Sequence, residues 1–234
     1  MSYVRGRGSR MSADLKLDLR LYALLDPQQS GGRELAELAW LVAQGGATLV
    51  QLRDKLGSTR AMVESARAIR ARLAPLGVPL LINDRVDVAF AAAADGVHLG
   101  QEDMAVEDAR RLLGPQALIG LSIKSLDDAA RAPLDHLDYV CIGGVFATTS
   151  KDNPDPPIGI AGLQAIMSQM RARDAELPIG AIAGINAGNA GGVITAGADG
   201  VAVISALSLA NDPQAAAREL RAIVDTALAK RQAA

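Results

Sequence analysis

Short apolar runs alternate with helical segments along this chain, and the alternation repeats eight times. The first run spans residues 19–25 and the last spans residues 200–204, and such runs are of strand length. The segments between them place apolar residues three and four positions apart, which is typical of a helix with one buried face. Eight strand–helix pairs in 234 residues predict an α/β fold, namely a single TIM (β/α)8 barrel.

The bounds of the predicted elements follow from the same periodicity and from turn residues. The predicted strands are 19–25, 48–52, 79–82, 96–99, 117–121, 139–142, 178–183 and 200–204. The predicted helices are 33–43, 59–73, 86–93, 106–113, 125–132, 162–173, 186–196 and 213–230. No second hydrophobic pattern or linker divides the chain, so residues 17–234 are predicted to form one barrel-shaped catalytic domain.

Residues 1–16 differ from the rest of the chain. Arg5, Arg7 and Arg10 lie among glycines and serines there, with little apolar material. Such a segment cannot bury enough apolar surface to fold, so we predict a disordered N-terminal extension outside the barrel.

Charge and cysteine content restrict the partners and the compartment. The formal net charge is -2 and the basic residues are scattered, which argues against a nucleic-acid partner. No apolar stretch reaches membrane-spanning length, and the single cysteine cannot form an internal disulfide. We therefore predict a cytoplasmic protein that acts on small molecules and binds neither nucleic acid nor a membrane. The sequence leaves homo-oligomerisation open.

Polar side chains follow the predicted strands at their C-terminal ends, where (β/α)8 barrels carry their active sites. Gln51, Arg53 and Lys55 alternate at the end of the second strand, so their side chains are expected on one side. Two cations and an amide at a barrel mouth suit a diphosphate. A surface ion-pair cluster with Asp54 is the alternative.

Carboxylates follow the third and fourth strands. Asn83 and Asp84 close one apolar run, and Asp103 closes the next. Magnesium typically binds one or two carboxylates together with substrate phosphates and water, so these aspartates could hold it. The alternative for each aspartate is a helix N-cap. His98 lies within the fourth run and is predicted to be a packed or hydrogen-bonded histidine rather than a catalytic base.

The later strand ends supply hydroxyls, prolines and glycines. Residues 143–157 contain several hydroxyls and Lys151, and we predict a lid over the ligand, although an ordinary surface loop has a similar composition. Gly184 and Ser205 follow the last two strands, where many barrels bind phosphate through backbone N–H groups. A turn at Gly184 and a cap at Ser205 are the structural alternatives.

In their order along the chain, these motifs resemble those of the thiamine-phosphate synthase family. The similarity extends from Leu19 to Leu207. It is carried by Gln51-Leu52-Arg53-Asp54-Lys55, Asn83-Asp84, His98-Leu99-Gly100-Gln101-Glu102-Asp103, Ser122, Gly143 to Lys151, Gly184 and Ile204-Ser205. A whole ordered set is far more specific than any one of its motifs.

The resemblance implies a transferase that couples 4-amino-2-methyl-5-(diphosphooxymethyl)pyrimidine to 4-methyl-5-(2-phosphoethyl)thiazole or its carboxylate. The products would be thiamine phosphate and pyrophosphate, formed by a dissociative displacement. Mg²⁺ is the implied cofactor, with Asp84 and Asp103 as its ligands. The implied catalytic residues are Arg53, Lys55, Ser122 and Lys151. The implied substrate-binding residues are Gln51, Arg53, Lys55, Asn83, Ser122, Thr148, Thr149, Ser150, Lys151, Gly184, Ile204 and Ser205.

The sequence departs from the family pattern in three places. Gly144 and Ala147 stand where the family commonly has proline, which predicts a looser lid, and Ile123-Lys124 stands where a Thr-His pair is frequent. One alternative is a thiazole tautomerase-like isomerase, but that enzyme uses a histidine that residues 122–125 do not supply. The other is a non-catalytic thiazole- or thiamine-phosphate-binding protein, which would gain nothing from two metal carboxylates.

Overall fold

The fold is a closed barrel of parallel strands, as predicted. The computed structural model describes residues 17–148, 150 and 156–233. The strands are β1 (Leu21–Leu25), β2 (Leu49–Leu52), β3 (Leu80–Asn83), β4 (Gly96–Leu99), β5 (Leu118–Ile123), β6 (Tyr139–Ile142), β7 (Ile179–Ile182) and β8 (Gly200–Val203). Each strand pairs with the next along the chain, and β8 closes the barrel by pairing with β1, where Leu21 lies opposite Val201.

Helices pack around the outside of the sheet. They are α1 (Leu35–Gln44), α2 (Thr59–Leu73), α3 (Val86–Ala92), α4 (Val106–Leu113), α5 (Leu126–Arg131), α6 (Gly159–Arg173), α7 (Ala190–Thr195), α8 (Ser205–Ser208) and α9 (Pro213–Gln232). Single 3-10 turns lie at Pro27–Gln29, Ala74–Leu76 and Leu134–His136. Within the described part of the chain, no helix is both long and apolar enough to cross a membrane.

The helix bounds mostly agree with the prediction to within three residues, and two helices differ more. The helix expected from residue 186 begins only at Ala190, because the Asn186 and Asn189 side chains hydrogen-bond local backbone N–H groups and hold a turn. The short helix α8 was not predicted, since its four residues directly follow a buried strand and show no helical period.

Apolar residues fill two layers, one on each side of the sheet. Leu21 and Leu25 belong to the outer layer, which packs against the helices. Tyr22, Tyr139 and the single cysteine, Cys141, belong to the inner layer, which fills the barrel. Side chains alternate between the layers because successive residues of a strand point to opposite faces.

Gly120 in β5 makes room for one of the interior tyrosines. A Cβ atom at this position would lie 2.1 Å from Cζ of Tyr139. The barrel can therefore enclose the tyrosine ring only because residue 120 has no side chain.

Ion pairs stabilise the face of the barrel at which the strands begin. Arg110 and Asp138 pair at 2.6 Å just before β6, with side chains only 12% and 5% exposed. Asp18 and Arg20 pair at 2.5 Å just before β1. These contacts join neighbouring strands and loops at the N-terminal face, which in such barrels serves stability rather than chemistry.

Candidate active site

Asp84 and Asp103 lie side by side at the C-terminal mouth of the barrel, with a hydrogen bond between their carboxyl groups. Asp84 follows β3, and its N–H donates to the carbonyl of His98 in β4 over 2.9 Å. Asp103 ends the turn after β4 and accepts a 2.6 Å hydrogen bond from the Gly100 N–H. Helices α3 and α4 both begin without a side-chain cap, so the N-cap alternative is wrong for both aspartates.

The carboxyl of Asp84 is hard to ionise where it lies. Burial raises its pKa, and the hydrogen bond and negative charge of Asp103 raise that pKa further. The Lys55 ammonium forms an ion pair with Asp84 and lowers the pKa of that carboxyl, but it does not outweigh the other causes. Two adjacent carboxyl groups that face one half-exposed ammonium can accommodate further positive charge.

The donor atoms at this point suit a hard cation only if the substrate completes the coordination. Asp84 and Asp103 offer oxygen ligands, and Asn83 lines the same cavity. Among the residues that the structure describes, no group of three or more His, Cys, Asp or Glu side chains is placed to hold a metal. Magnesium tolerates this, since it usually keeps several waters and binds substrate phosphates.

Arg53 is held by a carboxylate that the sequence analysis did not identify. Its guanidinium forms an ion pair with Asp26, which follows β1 and whose side chain is 5% exposed. Asp54, the expected partner, instead accepts hydrogen bonds from the backbone N–H groups of Leu56 and Gly57. The alternative of a surface ion-pair cluster between Arg53 and Asp54 is therefore wrong, and the partner that holds Arg53 is the buried Asp26.

A cavity of about 750 Å³ connects these groups. Its polar lining includes Arg53, Lys55, Asn83, Asp84, Asp103 and Ser122. Lys124, at the position of a departure from the family pattern, adds a further ammonium, whereas its neighbour Ile123 is buried in β5. Gln101 donates a 2.6 Å hydrogen bond to the carbonyl of Ser122 and so links the loops after β4 and β5.

A second cavity, of about 450 Å³, lies at the ends of β7 and β8. It is lined by Thr148, Ser150, Gly184, Ile204 and Ser205, all of which are predicted substrate-binding residues. The hydroxyls of Ser150 and Ser205 lie 2.9 Å apart, so two hydrogen-bonding groups converge on one spot. This cavity is small and carries no charged side chain among its described lining residues.

Gly184 fits against the loop that follows β6. Its φ is 65°, and a Cβ atom would lie 2.3 Å from the carbonyl oxygen of Ala147 and 2.7 Å from Cβ of Phe146. Glycine is therefore required both by the backbone conformation and by the close approach of the loop. Gly144 in the same loop has φ 74°, a conformation closed to the proline that is common at this position in the family.

A line of hydrogen bonds runs from the mouth into the barrel. Ser122 contacts His98, which contacts Tyr139, which in turn contacts Tyr22 and, through it, Gln51. His98 is thus a buried, hydrogen-bonded histidine, as predicted. Gln51 is fully buried and lines neither cavity, so its direct contact with a substrate stays a prediction.

The two tyrosines of this line were not identified from the sequence as site residues. An aromatic residue inside an apolar run is most simply explained as core, and no local pattern distinguishes a tyrosine whose hydroxyl joins a network. Several predictions fall on residues outside those that the structure describes: the extension 1–16, the substrate-binding residues Thr149 and Lys151, and residues 151–155 of the lid, so that the lid stays a prediction.

Comparisons with known proteins identify what the chain is similar to. The family model described as thiamine monophosphate synthase matches residues 21–207. The thiamine-phosphate synthase of Agrobacterium fabrum is 52% identical over 93% of this chain and 99% of its own length. The corresponding protein of Chloroflexus aurantiacus is 49% identical over 89% of this chain and 94% of its own.

A solved structure agrees with these sequences. Thiamine phosphate pyrophosphorylase from Pyrococcus furiosus superposes with a TM-score of 0.78 at 38% identity, covering 90% of this chain and 97% of that one. The family model therefore spans all eight strands of this chain and the residues that line both of its cavities.

Proposed function

The chain belongs to the thiamine monophosphate synthase family and is a thiamine-phosphate synthase, a transferase, and from this premise we propose how its two cavities divide the reaction. The charged cavity would bind the pyrimidine diphosphate, and the smaller cavity beside it would bind the thiazole phosphate. The observation that carries this assignment is the clustering of Arg53, Lys55, Asp84 and Asp103 at one side of the mouth.

Asp84 and Asp103 would hold Mg²⁺ together with oxygens of the diphosphate. The fit rests on the closeness of the two carboxyl groups and on the raised pKa of Asp84, since a divalent cation would take the place of the proton and neutralise both groups in their ionised form. When bound, the ion would neutralise charge on the departing pyrophosphate.

Arg53 and Lys55 would bind the same diphosphate from the protein side. Arg53 is anchored by Asp26 and so presents a pre-oriented guanidinium, which binds phosphate oxygens in a fork. The Lys55 ammonium is half-exposed and paired with Asp84. With Asp84 as a metal ligand, this ammonium would bind the diphosphate instead. Asn83, which lines the same cavity, would add an amide donor.

The uncharged cavity suits the phosphate end of the thiazole. Ser205 and Ser150 offer converging hydroxyls, and Gly184 allows a close backbone approach. Thr148 and Ile204 line the same space and would contact the ring. Thr149 and Lys151, predicted from the resemblance to act in the closing loop, stay predictions.

The chemistry needs stabilisation of a leaving group more than a base. The bond between the pyrimidine methylene and the diphosphate oxygen would break with its electron pair going to pyrophosphate, and the thiazole nitrogen would then donate its lone pair to the methylene. No proton is removed from either partner. Arg53, Lys55 and Asn83 would disperse the developing negative charge, and closure over the mouth would keep water from the cation.

The tautomerase and binding-protein alternatives leave the charged cavity without a purpose, since neither handles a diphosphate. Cytoplasmic location, homo-oligomerisation, the lack of nucleic-acid and membrane partners, and the form of thiazole that is used stay predictions.

The decisive experiment measures thiamine phosphate and pyrophosphate from the two purified substrates, with magnesium and with excess chelator. Asp84→Ala and Asp103→Ala are each expected to lower kcat/KM by about 100-fold or more. Asp87→Ala is the matched control, because Asp87 is an exposed carboxylate on the adjacent helix α3 that pairs only locally with Arg85. Activity that survives chelation, or an equal loss in the control, would refute the metal assignment.

A further inference from the structure

The hydrogen bonds inside the barrel form one continuous network, here called the internal network, made of Gln51, Tyr22, Tyr139, His98 and Ser122. The two tyrosine hydroxyls lie 3.0 Å apart, and the Tyr139 hydroxyl lies 2.9 Å from Nδ1 of His98. Nε2 of His98 lies 2.9 Å from Oγ of Ser122. Only Ser122 and the edge of His98 reach the charged cavity, so the network links the barrel interior to the mouth.

Ring packing fixes the network in place. The rings of His98 and Tyr139 are stacked, with centroids 5.5 Å apart and planes 29° apart. Tyr22 meets both rings edge-on, at 6.3 Å and 6.0 Å. Because all three rings are buried and in mutual contact, their polar atoms cannot turn to other partners without repacking the barrel.

The number of hydrogens then sets the direction of every bond. Burial raises the pKa of both phenols well above the usual value, so each carries its one hydrogen at any ordinary pH. The Gln51 amide donates to the Tyr22 hydroxyl. If every contact of the network is a hydrogen bond, the Tyr22 hydrogen goes to Tyr139, and the Tyr139 hydrogen goes to Nδ1 of His98.

The last bond follows from the tautomer of the imidazole. When the imidazole is neutral and accepts at Nδ1, its hydrogen is at Nε2, and His98 then donates to Oγ of Ser122. The Ser122 hydroxyl accepts this bond, and its own hydrogen is left to point into the charged cavity. Without this polarity, Ser122 could donate to His98 and present only lone pairs to a ligand.

We propose that Tyr139 is a positioning residue for the coupling reaction: acting through His98, it fixes the hydroxyl of Ser122 as a hydrogen-bond donor to a ring nitrogen of the aminopyrimidine. The proposal rests on the proposed function, in which the pyrimidine occupies this cavity. A ring nitrogen accepts hydrogen bonds only, so it pairs with a donor and is repelled by a lone pair. The internal network would thus select a pyrimidine over a ring that carries C–H at the same position.

The test is a double-mutant cycle on the KM for the pyrimidine diphosphate. Tyr139→Phe removes the hydroxyl that sets the tautomer, and it is expected to raise this KM about tenfold while kcat and the KM for the thiazole phosphate change less than about twofold. In a Ser122→Ala background the same change should have no further effect, because Tyr139 acts through that hydroxyl.

Two further variants keep the test decisive. Tyr22→Phe removes the hydroxyl assigned above as the donor to Tyr139, so it weakens the same polarity from one step further away. It should raise the KM less than Tyr139→Phe does, and its effect should likewise disappear in the Ser122→Ala background. If Tyr139→Phe does not fold, His98→Phe keeps a stacked ring, cuts the link to Ser122, and should show the same dependence on the Ser122 hydroxyl.

The outcomes separate this proposal from the proposed function. Wild-type protein that does not couple the two substrates would contradict the proposed function itself. Wild-type protein that couples them, together with a Tyr139→Phe variant of unchanged KM or one whose effect persists without the Ser122 hydroxyl, would overturn the positioning role alone.

Discussion

Replacing Gly184 by alanine tests the claim that this residue is required by its surroundings as well as by its backbone. Two costs are expected. The left-handed φ of 65° penalises a side chain by about 1–2 kcal/mol. The new Cβ would also lie 2.3 Å from the Ala147 carbonyl oxygen, and overpacking of this kind costs about 1–3 kcal/mol.

The two costs can be separated with Gly32. Gly32 also has a left-handed φ, 78°, but no atom lies within 4 Å of its ideal Cβ position. Gly32→Ala should therefore lose about 1–2 kcal/mol and Gly184→Ala about 2–5 kcal/mol. Alanine lowers the entropy of the unfolded chain by about the same amount at both sites, so the difference between the variants reports the clash with the loop.

Urea unfolding and thermal unfolding of both variants measure these values. For a chain of this length, about 2–5 kcal/mol corresponds to a loss of roughly 5–15 °C in Tm. Relief of the clash should also displace Ala147 and the loop beside Ser150, so Gly184→Ala should raise the KM for the thiazole phosphate while Gly32→Ala leaves it unchanged. Equal destabilisation of the two variants would refute the close-approach argument.

Three other changes have clear expected results. Because the pKa of Asp84 is raised in the folded state, its ionised form destabilises the folded protein at pH 7. Asp84→Asn should therefore raise Tm at pH 7 in the absence of metal and leave Tm unchanged at pH 3, which thermal scans at both pH values check. The same variant should no longer form thiamine phosphate. Burial raises the pKa of Asp18, but hydrogen bonds and charge from Arg20 outweigh burial and hold that pKa below 3.8. Asp18→Asn should therefore lower the free energy of unfolding at pH 7, and this loss should shrink as the pH falls through the folded-state pKa of Asp18. Asp138→Ala leaves Arg110 buried without its carboxylate and should cost about 3–5 kcal/mol in urea unfolding.

The barrel was predictable because its signals are local. The strands at 96–99 and 139–142 and the helices at 59–73 and 106–113 have the predicted bounds, since apolar periodicity and adjacent turn residues mark both of their ends. Asp84 and Asp103 could be placed together because the C-terminal ends of neighbouring parallel strands meet at one edge.

What could not be predicted depends on contacts between distant parts of the chain. The pairing of Arg53 with Asp26 joins loops after two different strands, whereas the sequence offered an adjacent aspartate as the simpler partner. The bond between Tyr22 and Tyr139 spans 117 residues, and nothing local to either position indicates it. Periodicity identifies which face a residue occupies, but not which polar atom it meets there.

The internal network also has a consequence for how the barrel folds. Its members come from β1, β2, β4, β5 and β6, so its bonds exist only when those strands have assembled around the axis. A half-formed barrel that lacks β1 would lose both hydrogen bonds of the Tyr22 hydroxyl, one with Gln51 and one with Tyr139, each of which contributes about 0.5–1.5 kcal/mol. Partly assembled intermediates are thereby penalised relative to the finished barrel, and folding and unfolding are expected to be more cooperative than apolar packing alone would make them.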